Sequence, residues 1–182
     1  MRKHSSAWAA SLALIWLLSA CTPAQNWRDI TFEGSALKVQ LPCKPDRTTR
    51  SVPLGGVSVD LQVAGCESET AMVAVMTASL PTGSDAAAVL SGWQKATLDN
   101  ARVPATGTDR QPQTWHRPGH LPLPSSQRVR AMGFKSSGEP VAMEAVWGAV
   151  AEGERVRVVH AVVYDRKIQP EMANTLFESI KP

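Results

Sequence analysis

Val57-Ser58-Val59-Asp60-Leu61-Gln62-Val63 alternates apolar and polar residues without a break. Successive strand side chains point to opposite sides, so this pattern predicts a strand with one face buried and one wet. Gly55-Gly56 supplies a turn ahead of it, and 65–70 reads as a polar connection behind it. Residues 71–80 are then apolar on both faces, which predicts a central strand. A hairpin of these two strands seeds an antiparallel sheet.

The rest of the chain extends that seed. Upstream, 27–32 reads as a first strand. Leu37, Val39 and Leu41 alternate with Lys38 and Gln40, until Pro42 and Pro45 end the run because proline cannot donate to a ladder. Downstream, Ser84 is a fitting helix N-cap and Asp85 suits the positive end of a helix. Ala86, Leu90, Trp93, Thr97 and Ala101 share one face of an amphipathic helix ending near Arg102. The segment 104–124, with five prolines and two glycines, reads as a long loop. Three strands follow: Gln127–Phe134, 141–150 and 155–164. A last helix opens near Pro170 and buries Met172, Leu176, Phe177 and Ile180. The expected class is α+β: an antiparallel sheet with two helices packed on it, in the order strands, helix, strands, helix.

The N-terminus carries a different signal. Arg2 and Lys3 precede an apolar run, 7–18, that is short for a bilayer span. A basic start, a short apolar stretch and small residues before a cut site describe a secretory signal. The run closes in Leu18-Ser19-Ala20-Cys21, which resembles the lipobox of bacterial lipoproteins. That resemblance implies a signal peptide over 1–20, cleavage before Cys21 and lipid attachment there. It leaves 21–26 as a lipidated tether and 27–182 as a single domain. Thr22 follows the cysteine where an aspartate commonly marks inner-membrane retention in that family, which implies an outer-membrane anchor facing the periplasm. Loss of Arg2 and Lys3 lowers the basic count from 19 to 17 against 16 acids. So balanced a domain offers no electrostatic reason for a nucleic-acid partner.

Cys43 and Cys66 are the remaining cysteines. Export places them in an oxidising compartment, where two thiols in a small domain pair, and no Cys-x-x-Cys argues for redox or metal work. A structural disulfide is expected. It requires the 37–41 strand to end at the same end of the sheet as the hairpin tip near Cys66.

Leu41-Pro42-Cys43-Lys44-Pro45, the alternating hairpin, the mid-chain helix and Leu176-Phe177-Glu178-Ser179-Ile180 resemble small bacterial envelope lipoproteins of unassigned function. The arrangement is also similar to the α+β fold of PsbP-like proteins. The resemblance implies a fold and no catalytic residues.

Candidate chemistry is sparse. His116 and His120 have zinc-helix spacing, but Pro118 and Gly119 intervene and no His-Glu-x-x-His is present. His160 lies among valines. No Gly-x-Ser-x-Gly surrounds any serine, and no glycine-rich phosphate loop appears. Arg128, Arg130, Arg155 and Arg157 alternate on what read as neighbouring strands. Paired, they make an arginine-lined face for an anionic partner, or a solvated face balanced by Glu144, Glu152 and Glu154. Trp115, beside Arg117 in the long loop, is the expected surface anchor. The expectation is a non-catalytic, lipid-anchored accessory or interaction domain of the envelope. It needs no cofactor or metal, and its contacts are the membrane and an envelope protein partner. The alternative is a hydrolase or metal-binding protein using His116, His120 and His160.

Overall fold

The computed structural model describes residues 25–105 and 108–182. Seven strands form one antiparallel sheet. They are β3 (Asp46–Leu54), β4 (Val57–Ser68), β5 (Ala71–Ser79), β6 (Arg110–Thr114), β7 (Gln127–Phe134), β8 (Pro140–Glu152) and β9 (Arg155–Asp165). Their order is β3-β4-β5-β9-β8-β7-β6. A separate hairpin of β1 (Arg28–Thr31) and β2 (Lys38–Leu41) lies outside it. Two helices complete the fold, α1 (Ala86–Asn100) and α2 (Pro170–Glu178). The expected class and order of elements are present.

Each face of the sheet has its own cover. On one, α1 presses Leu90, Trp93 and Leu98 onto Met143, Ala145, Trp147, Val158 and Val162. On the other, the β1–β2 hairpin and α2 bury Leu37, Val39, Leu41, Leu176 and Phe177 against Val73, Val75, Val146, Val159 and Ala161. Strands β8 and β9 are therefore buried on both sides, and their sequences run apolar rather than alternating. Asp85 itself caps α1, accepting hydrogen bonds from the Ala87 and Ala88 N–H groups. That displaces the expected cap by one residue from Ser84.

The strand 71–80 is central as read, flanked by β4 and β9. Its partner β4 runs on to Ser68, so only Glu69 and Thr70 form the turn and 65–68 is strand, not connection. Two strands had no periodic signal. Edge strand β3 is exposed from Asp46 to Ser51, so neither of its faces needs apolar residues. Strand β6 lies within the supposed loop and carries Pro112, which an edge tolerates.

The Cys43–Cys66 disulfide is present, with Cα atoms 6.0 Å apart. It staples the end of the β1–β2 hairpin to β4. Arg157 staples the hairpin's other end. Its Nε donates to Glu152 Oε2 at 2.7 Å and its Nη2 to the Gly34 carbonyl, while Ser35 Oγ donates to Glu152 Oε1.

Candidate functional site

Helix α1 has fifteen residues and β8 has thirteen. At about 1.5 Å per helical residue and 3.3 Å per strand residue, the helix covers roughly half the strand's length. Where α1 stops, the sheet is left uncovered, and a cleft of about 470 Å³ opens there. That volume lies in the range of small-molecule sites. Met72, Tyr164 and Val141 line it from three different strands, and Asn100 and Ala101 from the end of α1. Met72 and Tyr164 face each other directly across β5 and β9. Phe134 and Lys135, at the end of β7, Glu67, near the end of β4, and Glu69 and Thr70, in the β4–β5 turn, also line it, as do Asp165 and Arg166.

Three further features converge on this cleft. Among the described residues Met72, Met132 and Phe134 are the large apolar side chains most open to solvent, at 50, 38 and 43 % exposure, and the first and third line the cleft. Glu69 and Arg102 have positive φ without being glycine. Glu69 lines the cleft and Arg102 follows the helix end that borders it. Such backbone strain gathers at functional sites. Gly133 has no side chain because the Ala101 carbonyl occupies the space a Cβ would take. That approach seats the end of α1 on β7, where the Phe134 N–H donates to the same carbonyl at 2.8 Å.

The cleft's ionisable groups carry both signs. Burial opposes ionisation of Asp165. Hydrogen bonds from Gln169, the Arg166 N–H and Thr70, with the charge of Lys167, outweigh it and hold the carboxyl below its usual range. Burial pushes the Tyr164 phenol up. Lys135 Nζ lies 2.9 Å from Glu139, an exposed pair of little energetic weight. Among the described residues Glu67 and Glu69 form no ion pair, so two carboxylates of the rim are left without a fixed cation.

The residues singled out in the sequence lie elsewhere. Trp115 is not a surface anchor: it is 7 % exposed and belongs to the α2-side core. Its ring sits over Gly148, 2.5 Å from where a Cβ would stand, with His120 edge-on at 5.0 Å. The four arginines do not form one face, because β8 separates β7 from β9. Arg128 and Arg130 both bind Glu144 Oε1 on β8, and Arg130 stands directly opposite Glu144. Arg128 also donates to Asn174 and lies over the Phe177 ring, tying β7 to α2. The space beside this trio, about 10 Å³, has room for roughly one water and no ligand. Arg157 is buried in its hairpin contacts, Arg155 is exposed, and Arg117 Nη2 donates to the Glu178 carbonyl. Cys21 lies outside the described residues.

Nor do the histidines converge. His160 is fully buried, stacked on Trp147 at 4.5 Å and edge-on to Trp93 at 5.3 Å, on the α1 side. Its Nδ1 donates to the Val146 carbonyl, and burial drives its pKa down to about 4. His120 lies with Trp115 over Gly148, on the opposite face of the sheet. Burial also lowers the His120 pKa; the Ile180 backbone opposes this and the Arg117 charge adds to it. A sheet thickness therefore separates two of the three histidines that a metal or hydrolytic centre needs, and His116 is exposed in its loop. Among the described residues no group of three metal-ligating side chains comes together.

No protein-family model matches the chain, and no curated protein matches it. The cleft was not foreseen in the sequence. Met72 looked like any residue of a doubly buried strand, and Phe134 like its last apolar position. The one available signal was Lys135, Glu67 and Glu69 falling at turns that an antiparallel sheet brings to a common end.

Proposed function

We propose that the protein is a lipid-anchored, non-catalytic accessory domain of the bacterial envelope that holds a ligand or partner segment in the cleft beyond the end of α1. The observation that carries this reading is the coincidence of a cleft of about 470 Å³, two exposed apolar side chains and two strained turns at one end of the sheet. The anchored part rests on Leu18-Ser19-Ala20-Cys21 and the basic start. No described helix is long and apolar enough to cross a membrane. In this reading the attachment is the Cys21 lipid. The non-catalytic part rests on the chemistry of the lining. Asp165 is committed to neighbouring donors, and Tyr164 is pushed away from the range in which a phenol works as a base.

Two measurements test it. Cys21→Ser is expected to move the protein from the membrane to the soluble fraction and to abolish incorporation of labelled fatty acid. Retention of that variant on membranes rejects the anchor. A photo-crosslinking residue in place of Phe134 is expected to give an adduct in intact cells, and one in place of Ser58, at the other end of β4, none. Equal or absent adducts at the two positions reject the cleft as the site of action.

A further inference from the structure

The start of the described chain lies at the cleft end of the molecule. Asn26 donates its N–H to the Pro42 carbonyl, Cys43 is bonded to Cys66, and the next residue, Glu67, lines the cleft. From Cys21 to Asn26 the chain spans at most about 18 Å. On the reading of Cys21 as the lipid anchor, the cleft end is thus the end held against the membrane. A site there meets amphiphiles before soluble metabolites.

The lining matches an amphiphile in two parts. Met72, Val141 and Phe134 offer an apolar surface that is costly to leave in water. The rim offers unpaired carboxylates at Glu67 and Glu69 and cations at Lys135 and Arg166. A purely anionic head meets the carboxylates, and a purely cationic head meets Lys135 and Arg166, whose nearby carboxylate, Glu139, is an exposed partner that a phosphate can replace. A head carrying an ammonium and a phosphate satisfies both sets.

We infer that the cleft binds a single-chain zwitterionic phospholipid drawn from the adjoining membrane, with its chain against Met72 and Phe134, its ammonium at Glu67 and Glu69, and its phosphate at Lys135 and Arg166. This rests on the anchored-binding-domain reading above and names the ligand class of that same site.

The probe is lauroyl lysophosphatidylethanolamine, kept monomeric and titrated calorimetrically into the full chain carrying Cys21→Ser, which has no acyl group of its own. Saturable binding of one molecule per chain is expected. It should be at least tenfold tighter than binding of lauroyl lysophosphatidylglycerol or dodecylamine, which present only one sign of charge. The decanoyl analogue should bind about sixteenfold more weakly, since it lacks two methylenes and each one buried is worth roughly a fourfold change. Met72→Glu and Phe134→Glu should each weaken binding tenfold or more, and Arg155→Ala, at the far end, should not. Both cleft side chains are about half exposed, so circular dichroism should be unchanged. If either variant misfolds, the Glu67→Lys/Glu69→Lys chain carries the test by reversing the preference toward the anionic lipid. Absent saturable binding, equal affinity for all three heads, or binding indifferent to the cleft variants overturns the inference. If Phe134 nonetheless crosslinks in cells, only the lipid falls and the cleft stands; if it does not, both fall.

Discussion

The Trp115 ring stands where a side chain at position 148 would begin, so these two residues depend on each other. Gly148→Ala drives a methyl group into a rigid, buried ring and is expected to cost about 1–3 kcal/mol. Trp115→Ala removes the ring from the core and is expected to cost about 3–5 kcal/mol. Urea denaturation of each variant checks both, and an unshifted midpoint for Trp115→Ala would mean the indole contributes nothing to the core. His160 makes a pH prediction. Its folded pKa of about 4 lies below the ordinary 6.5, so between those values the unfolded chain binds the proton and the folded chain does not. Stability therefore rises with pH across that window and is lost as pH falls through it, by roughly 3 kcal/mol in all. Asp165, also depressed, adds acid sensitivity of the same sign at lower pH. Melting curves from pH 7 to pH 4 should fall steeply for the wild type and less steeply for His160→Phe, which keeps an aromatic ring beside Trp147.

Helix α1 ends in a pattern that glycine serves best. The Arg102 N–H donates to the Asp99 carbonyl and the Val103 N–H to the Leu98 carbonyl, with Arg102 at φ 51. A left-handed arginine there carries about 1–2 kcal/mol of strain that glycine relieves. Arg102→Gly is expected to raise stability by roughly 1 kcal/mol after glycine's greater unfolded entropy is subtracted. A rise in melting temperature, with affinity for the proposed lysophospholipid measured beside it, shows whether stability was exchanged for the proposed binding. The hairpin of β1 and β2 depends instead on its two staples. Opening the Cys43–Cys66 bridge by paired serine substitution frees a loop of sequence separation 23. On the chain-entropy account this costs about 3–4 kcal/mol. Guanidinium denaturation of the paired variant against wild type measures it, and a loss well under 1 kcal/mol would show that the Arg157–Glu152 contact alone holds the hairpin down.

For the whole molecule, if Cys21 is the lipid anchor proposed above, the short span to Asn26 sets an orientation. The β7–β8 turn belongs to the cleft end, and the start of β4 to the other. A fluorophore at exposed Ser136, in that turn, is expected to be quenched by head-group spin-labelled lipid in vesicles bearing the acylated protein. One at exposed Ser58 is expected to escape. Equal quenching at both positions would reject a fixed orientation.

The class of the fold was legible in local periodicity. Val57 to Val63 and Leu37 to Leu41 alternate because each strand must keep one face dry. The helix stripe through Leu90 and Trp93 repeats because a helix turns every 3.6 residues. The cysteines were legible too, since the two thiols left in a domain read as exported have one intramolecular pairing. Strands β3 and β6 were not legible: an edge strand with no buried face has no hydrophobic period to reveal it. The cleft was hidden for a different reason. It exists because α1 is shorter than the strands it covers, a mismatch between elements far apart in sequence. Strand order likewise lay beyond local pattern. Placing β8 between β7 and β9 turned a supposed arginine face into two separate clusters, Arg128 and Arg130 on Glu144 and Arg157 on Glu152, and folding the loop over Gly148 turned an expected surface tryptophan into core. Local alternation determined which residues must be buried. Only long-range packing decided which neighbours bury them and which apolar side chains, Met72 and Phe134, were left at the rim.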